Sequence, residues 1–199
     1  MGSRRIRELH TELSLPSAAN LLAILRDREI GTAEFRLASD ELARLLCTEA
    51  LTRLQEGGSD GLMLVPVLRA GLALLPSFTR ALPDAPVAFI GIARDEQTAQ
   101  PDLYYTRFPA AMPPKALIID PMLATAGTAC LVAELLIGEG YTPDTVHFAG
   151  VLAAREGMER LAALLPRANI SVAAVDPNLD AQKFIVPGIG DYGDRYFGT

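Results

Sequence analysis

The hydrophobic positions along the chain have two textures. Up to about residue 57 they recur at helical spacing. Segment 17–28 carries Leu21, Leu22 and Leu25. After Gly31, Thr32 is the expected N-cap with Glu34 in the first turn, and Phe35, Ala38, Leu42, Leu45, Leu46 and Leu54 repeat until Gly57 and Gly58 stop the pattern. From Leu62 onward the apolar residues gather in compact runs without polar alternation, at 62–66, 87–93, 116–119, 146–152 and 170–175, as strands buried on both faces require. Helical patterns at 72–82, 128–138 and 156–164 alternate with these runs. Such alternation implies right-handed crossovers, and so an α/β fold with a mostly parallel twisted sheet flanked by helices. Two stretches break the rhythm. Segment 95–114 sets Tyr104, Tyr105 and Phe108 among prolines and charges and is expected to form a hairpin or flap over a sheet edge; 183–199 is rich in glycine and aspartate.

A length of 199 residues points to one domain, with an N-terminal helical segment at about 14–57, an α/β core at about 61–176 and a tail at about 183–199. Half the residues are hydrophobic and 21% charged, which excludes a disordered chain. A net charge of −6 argues against a surface made for nucleic acid or an anionic membrane, while leaving room for a local anion site. Cys47 and Cys130 fall in helical patterns, so neither a disulfide framework nor a zinc site is expected. The basic start at 1–7 leads into His10, Glu12 and Ser14 instead of an apolar run, and no apolar stretch reaches the roughly 18 residues of a membrane span. A cytoplasmic protein is expected. His10 and His147 lack metal-ligand spacing, and His147 reads as a packed core histidine as readily as a functional one.

In an open parallel sheet the ligand crevice lies beyond the carboxyl ends of the strands, so residues following each apolar run carry the chemistry. After the run ending at Ile119 come Asp120, Pro121, Met122, Leu123, Ala124, Thr125, Ala126, Gly127 and Thr128. Here a carboxylate and a loop of small and hydroxyl residues lead into a helix, whose free amides bind a phosphate without any basic side chain. The plainer possibility is that Thr125 or Thr128 is an ordinary N-cap. Arg69 and Arg94 follow two other runs, each offering a guanidinium fork to phosphate oxygens, the alternative being arginines that reach to solvent. The tail has a formal GxGxxG from Gly188 to Gly193. The chain ends at Thr199, leaving no room for a crossover helix and second strand, so these glycines more plausibly admit main-chain groups to a flat ligand edge or form a loop that aspartates cap.

Taken together, VPVLRAG (65–71), Arg94 with Tyr104 and Tyr105 beyond it, IDPMLATAGT (119–128) and FIVPGIGDYGDRYFGT (184–199) resemble the uracil phosphoribosyltransferases, and the similarity extends to RDREIGTAEFR (26–36). The resemblance implies a type I phosphoribosyltransferase fold with a flap and a C-terminal hood. It also implies the transfer of phosphoribose from phosphoribosyl pyrophosphate to uracil, giving UMP and pyrophosphate. By this resemblance Arg69 and Arg94 would hold the pyrophosphate, the loop from Asp120 to Thr128 the ribose 5-phosphate, and Ile185, Gly190, Asp191 and Tyr192 the uracil. Arg69, Arg94, Asp120 and Asp191 would form the catalytic set, and Mg2+ would be bound mainly through substrate oxygens. Some positions depart from the family pattern. Ala126 stands for a usual glycine, so it demands a backbone its Cβ tolerates and is expected to crowd the phosphate; Thr128 stands for serine, Phe184 for tyrosine, and Tyr192 for a small residue, where it is expected to narrow or reshape the base pocket. Segment 52–62 is too short for the β-arm that the family places before VPVLRAG and uses to dimerise, so a homodimer is allowed but not implied. Tyr192 keeps open an enzyme of altered base preference, and Ala126 with the missing arm a weakly catalytic protein that binds ribose phosphate.

Overall fold

The computed structural model describes residues 10–12, 16–56, 61–94, 101–165 and 170–199. The basic start, the stop at Gly57 and Gly58, and residues 95–100 of the flap lie outside these. In chain order the elements are β1 (His10–Glu12), α1 (Pro16–Arg26), α2 (Thr32–Glu56), β2 (Leu62–Leu68), a 3-10 turn (Ala70–Ala73), α3 (Leu75–Ala81), β3 (Phe89–Arg94) and β4 (Pro101–Arg107). There follow β5 (Lys115–Ile119), β6 (Met122–Leu123), α4 (Gly127–Gly138), a 3-10 turn (Pro143–Thr145), β7 (Val146–Ala154), α5 (Arg155–Leu164), β8 (Ile170–Asp176), β9 (Asn178–Leu179), β10 (Ile185–Val186) and α6 (Tyr192–Phe197).

The sheet runs β1-β8-β7-β5-β2-β3-β4, with β6 pairing β7 beyond the end of β5. Every pairing is parallel except β3 with β4, whose antiparallel ladder is the hairpin expected at the edge. The unbroken apolar runs arise because successive strand residues face opposite helical layers. In β2, Leu62 and Leu64 pack with α1 and α2 through Leu25, Phe35, Leu42 and Leu46, whereas Met63, Val65 and Val67 pack with Val132 and Leu136 of α4 and Met158 and Leu161 of α5.

Two local expectations are corrected. The helical pattern over 72–82 is split: a 3-10 turn precedes α3, and its Gly71 is pressed so close to the end of β5 that an added Cβ would lie 2.4 Å from the Ile119 carbonyl oxygen. Thr32 is the first helical residue of α2 instead of its cap. The Phe35 amide bonds the Gly31 carbonyl at 3.0 Å, and Thr32 faces Gly198 of the tail.

Candidate active site

The carboxyl ends of β2, β3 and β5 and the start of α6 surround a cleft of about 420 Å³. Its walls include Arg69 and Ala70 after β2, Ile92 and Ala93 of β3, Tyr104 of the hairpin, Asp120, Met122 and Thr128 from the loop after β5, and Asp191 to Asp194 from the tail. Three motifs far apart in sequence thus meet at one opening. Arg69 is not simply spread on the surface: its side chain, 60% exposed, reaches along the rim with Nη2 3.4 Å from Asp194 Oδ1. At that exposure the pair is weak, and Arg69 keeps its charge available to an anion. Arg94 closes β3 opposite Pro101, at the strand end facing the same side; its side chain is outside the described residues. The Leu68–Arg69 and Val186–Pro187 peptides are cis.

Asp120 is nearly buried where β5 ends, and its Oδ1 accepts from the Met122 amide at 3.5 Å. Pro121, Leu123, Ala124 and Ala126 are buried beneath the loop surface, while Met122, Thr125, Gly127 and Thr128 are partly open. The helix start is not the plain N-cap. Ala126 occupies the cap position with φ 60°, in the left-handed region, and has no side-chain acceptor to offer; Thr125 Oγ1 accepts from the Gly127 amide at 3.4 Å. Ala126 therefore takes the backbone that glycine favours, with its methyl buried among core residues. The demand on the backbone expected of an alanine here is met as a left-handed φ. Gly157 of α5 supports the loop from below: a Cβ there would lie 2.4 Å from the Ala124 carbonyl oxygen and 2.7 Å from that of Leu123.

Tyr192 joins the cleft wall to the core. Its ring is 1% exposed, set edge-on to Phe35 and stacked on Tyr196, and its hydroxyl hydrogen-bonds Ser39. Burial pushes its phenol well above the usual range. The ring is packed in the core while the residue still forms part of the cleft wall, so Tyr192 anchors the tail at the edge of the cleft. Asp191 caps α6, its Oδ1 accepting from the Asp194 amide at 2.9 Å, so the aspartate that lines the cleft also turns the chain. Ile185 and Gly190 do not line the cleft. Ile185 is buried in the core and Gly190 turns the chain with φ 76°.

Sequence reasoning missed the residues that hold this tail. Arg26 grips Asp176 with two bonds, and Arg195 donates to the carbonyls of Leu25, Ile189 and Asp27. Arg36 donates to the Tyr196 carbonyl at 2.6 Å, and Tyr196 to Asp40 at 2.9 Å. Two signals pointed this way: Arg26 and Arg36 bound the 26–36 similarity, and Asp176 ends an apolar run as Asp120 does.

A twisted parallel sheet with a cleft at its strand ends, a helix-start loop and a capping tail define the phosphoribosyltransferase class. The chain superposes on the AQ2163 protein of Aquifex aeolicus with a TM-score of 0.85, at 30% identity over 96% of this chain and 98% of that one. It shares the fold of the adenine phosphoribosyl transferase of Trypanosoma brucei, with a TM-score of 0.60 at 16% identity over 83% of this chain and 81% of that one. Residues 55–199 match the sequence profile of the family described as uracil phosphoribosyltransferase. The uracil phosphoribosyltransferase of Campylobacter concisus is 35% identical over 94% of this chain and 97% of its own, and the urg2 protein of Schizosaccharomyces pombe is 37% identical over 94% and 88%. This chain belongs to the uracil phosphoribosyltransferase family.

Proposed function

We propose that the protein transfers phosphoribose from phosphoribosyl pyrophosphate to uracil, releasing pyrophosphate and forming UMP for pyrimidine salvage. The observation that carries this reading is the convergence of Arg69, Asp120, Thr128 and Asp191, from three separate motifs, on one cleft. In this reading the 5-phosphate rests on the amides at the start of α4, of which Gly127 already meets Thr125 Oγ1, and the helix dipole favours its charge. Asp120 accepts from the ribose hydroxyls. As pyrophosphate leaves, charge grows on its oxygens, where Arg69 and Arg94 oppose it, while Asp120 and Asp191 favour the cationic character left on the ribose. Uracil is selected by main chain of the segment from Ile185 to Tyr192: an amide toward O4 and a carbonyl toward N3–H would both be mismatched by cytosine.

Asp120, Asp191 and Asp194 line the cleft as separate carboxylates, and among the described residues no group of three or more His, Cys, Asp or Glu is set to hold a metal ion. Such a donor set fits a magnesium ion that arrives on pyrophosphate oxygens and keeps much of its water. That ion supplies further neutralisation of the leaving group. Two free, buried cysteines, Cys47 and Cys130, fit a reducing cytoplasm.

The test is purified protein with phosphoribosyl pyrophosphate, magnesium and each pyrimidine and purine base in turn, following nucleotide formation. UMP from uracil, abolished by EDTA and restored by magnesium, is expected. Product from another base but not uracil would replace the substrate, and no product from any base would favour a binding protein.

A further inference from the structure

The tail segment between β10 and α6 is tied to the rest of the protein by a fork of charge. Arg26, the last residue of α1, donates from Nη2 to Asp176 Oδ1 at 2.7 Å and from Nη1 to Asp176 Oδ2 at 2.8 Å. The same Asp176 Oδ2 accepts from the Gly188 amide at 2.8 Å, and the same Arg26 Nη1 donates to the Gly188 carbonyl at 3.0 Å. Both main-chain groups of Gly188 are thereby fixed by one ion pair. Gly188 itself has φ 63° and lies so close to Ile185 that a Cβ would stand 1.9 Å from the Ile185 carbonyl oxygen, so the backbone has no slack there. The next residue is held as well: the Ile189 carbonyl accepts from Arg195 Nη1 at 2.8 Å, and the same guanidinium donates to the carbonyls of Leu25 and Asp27 on either side of Arg26.

The pair is well placed to act by geometry. Asp176 ends β8, a strand inside the sheet, and its side chain is only 7% exposed against 27% for Arg26. A planar guanidinium met by both carboxylate oxygens fixes orientation as well as distance, which lysine cannot do. No bond of this clasp reaches Arg69 or the loop after β5.

We propose that Arg26 and Asp176 are positioning residues for base recognition: through Gly188 they set the register of the main chain from Ile185 to Gly190, which leads directly into the cleft-lining Asp191 and Tyr192, and so control affinity and selectivity for the base while leaving the phosphoribosyl half of the cleft unaffected. This rests on the reading of that segment as the uracil site. The discriminating variants are Arg26→Lys, which keeps the charge but loses the fork, and Asp176→Asn, which keeps the shape but loses the charge.

The experiment compares full-length wild type and both variants in steady-state kinetics against uracil and against phosphoribosyl pyrophosphate. Hydrogen exchange of the peptide spanning 185–190 is followed in parallel. Losing charge-assisted hydrogen bonds of this kind is expected to raise the KM for uracil about tenfold or more in Asp176→Asn, with a smaller rise in Arg26→Lys. The KM for phosphoribosyl pyrophosphate stays within about twofold, the ratio of uracil to cytosine use falls, and exchange at 185–190 quickens without a change in α4. A merely structural role would instead raise both KM values together or lower kcat alone, and either result overturns the proposal. Should wild type make no UMP, the proposed function fails separately, and the exchange measurement still decides whether the clasp sets the segment: unchanged protection at 185–190 in both variants refutes it.

Discussion

Ser39 and Tyr192 show how one residue changes meaning once its surroundings are fixed. In the tail motif Tyr192 belongs to the cleft wall with Asp191 and Gly193, yet its hydroxyl is spent on Ser39, which is fully buried in α2. Tyr192→Phe strands the serine hydroxyl in an apolar setting, at a cost of about 1–2 kcal/mol. Urea unfolding of the two proteins measures it; a shift in base preference with no loss of stability would return the ring to the base pocket. Arg69 is the opposite case, exposed, loosely paired and at the cleft rim. Arg69→Ala is expected to lower kcat/KM by about two to three orders of magnitude with an unchanged unfolding midpoint, as for removal of one preorganised group opposing transition-state charge. Unchanged kinetics would make Arg69 a surface arginine.

Between elements, the contact of greatest consequence is α5 against the loop from Asp120 to Gly127. The loop can lie where it does because Gly157 has no side chain, so Gly157→Ala must displace the Leu123 and Ala124 carbonyls. Overpacking of this kind costs about 1–3 kcal/mol. Because the displaced backbone is the loop proposed to hold the 5-phosphate, the KM for phosphoribosyl pyrophosphate should rise while that for uracil holds; equal effects on the two would place the loop elsewhere in the reaction. The five buried strands β2, β3, β5, β7 and β8 were readable in the sequence, since burial on two faces leaves a run with no polar alternation, and so were the strand-end positions of Arg69 and Asp120; the short strands β1, β6, β9 and β10 were not. The clasp was not, because Arg26 meets Asp176 across 150 positions and Gly188 across 162, and local periodicity has nothing to say about partners so distant. The demand on the backbone at Ala126 was readable from its place where glycine is usual; where its methyl packs was not.

For the molecule as a whole, the sheet has a chemical end and a structural end. The carboxyl ends of the strands carry the cleft; the opposite end carries His147, near the start of β7 and paired in register with Leu117, two residues along from Lys115. Burial above all, and then the Lys115 charge, lower the His147 pKa from 6.5 to about 4. The histidine is thus held neutral in the fold, while the unfolded chain takes up a proton as pH falls through 6.5. Between pH 6.5 and 4 the unfolded state binds more protons than the native one, so stability is full above that window and declines across it, levelling below pH 4. The loss from this group reaches about 3 kcal/mol at the acid side. Since the histidine is at the end of the sheet away from the cleft, its protonation should unfold the protein without first altering base or phosphate affinity. Urea titrations at steps between pH 7 and pH 4 measure the slope, with His147→Gln as the comparison. The variant should be less sensitive to pH across that window, and equal slopes in the two proteins would show that acid lability originates in other groups.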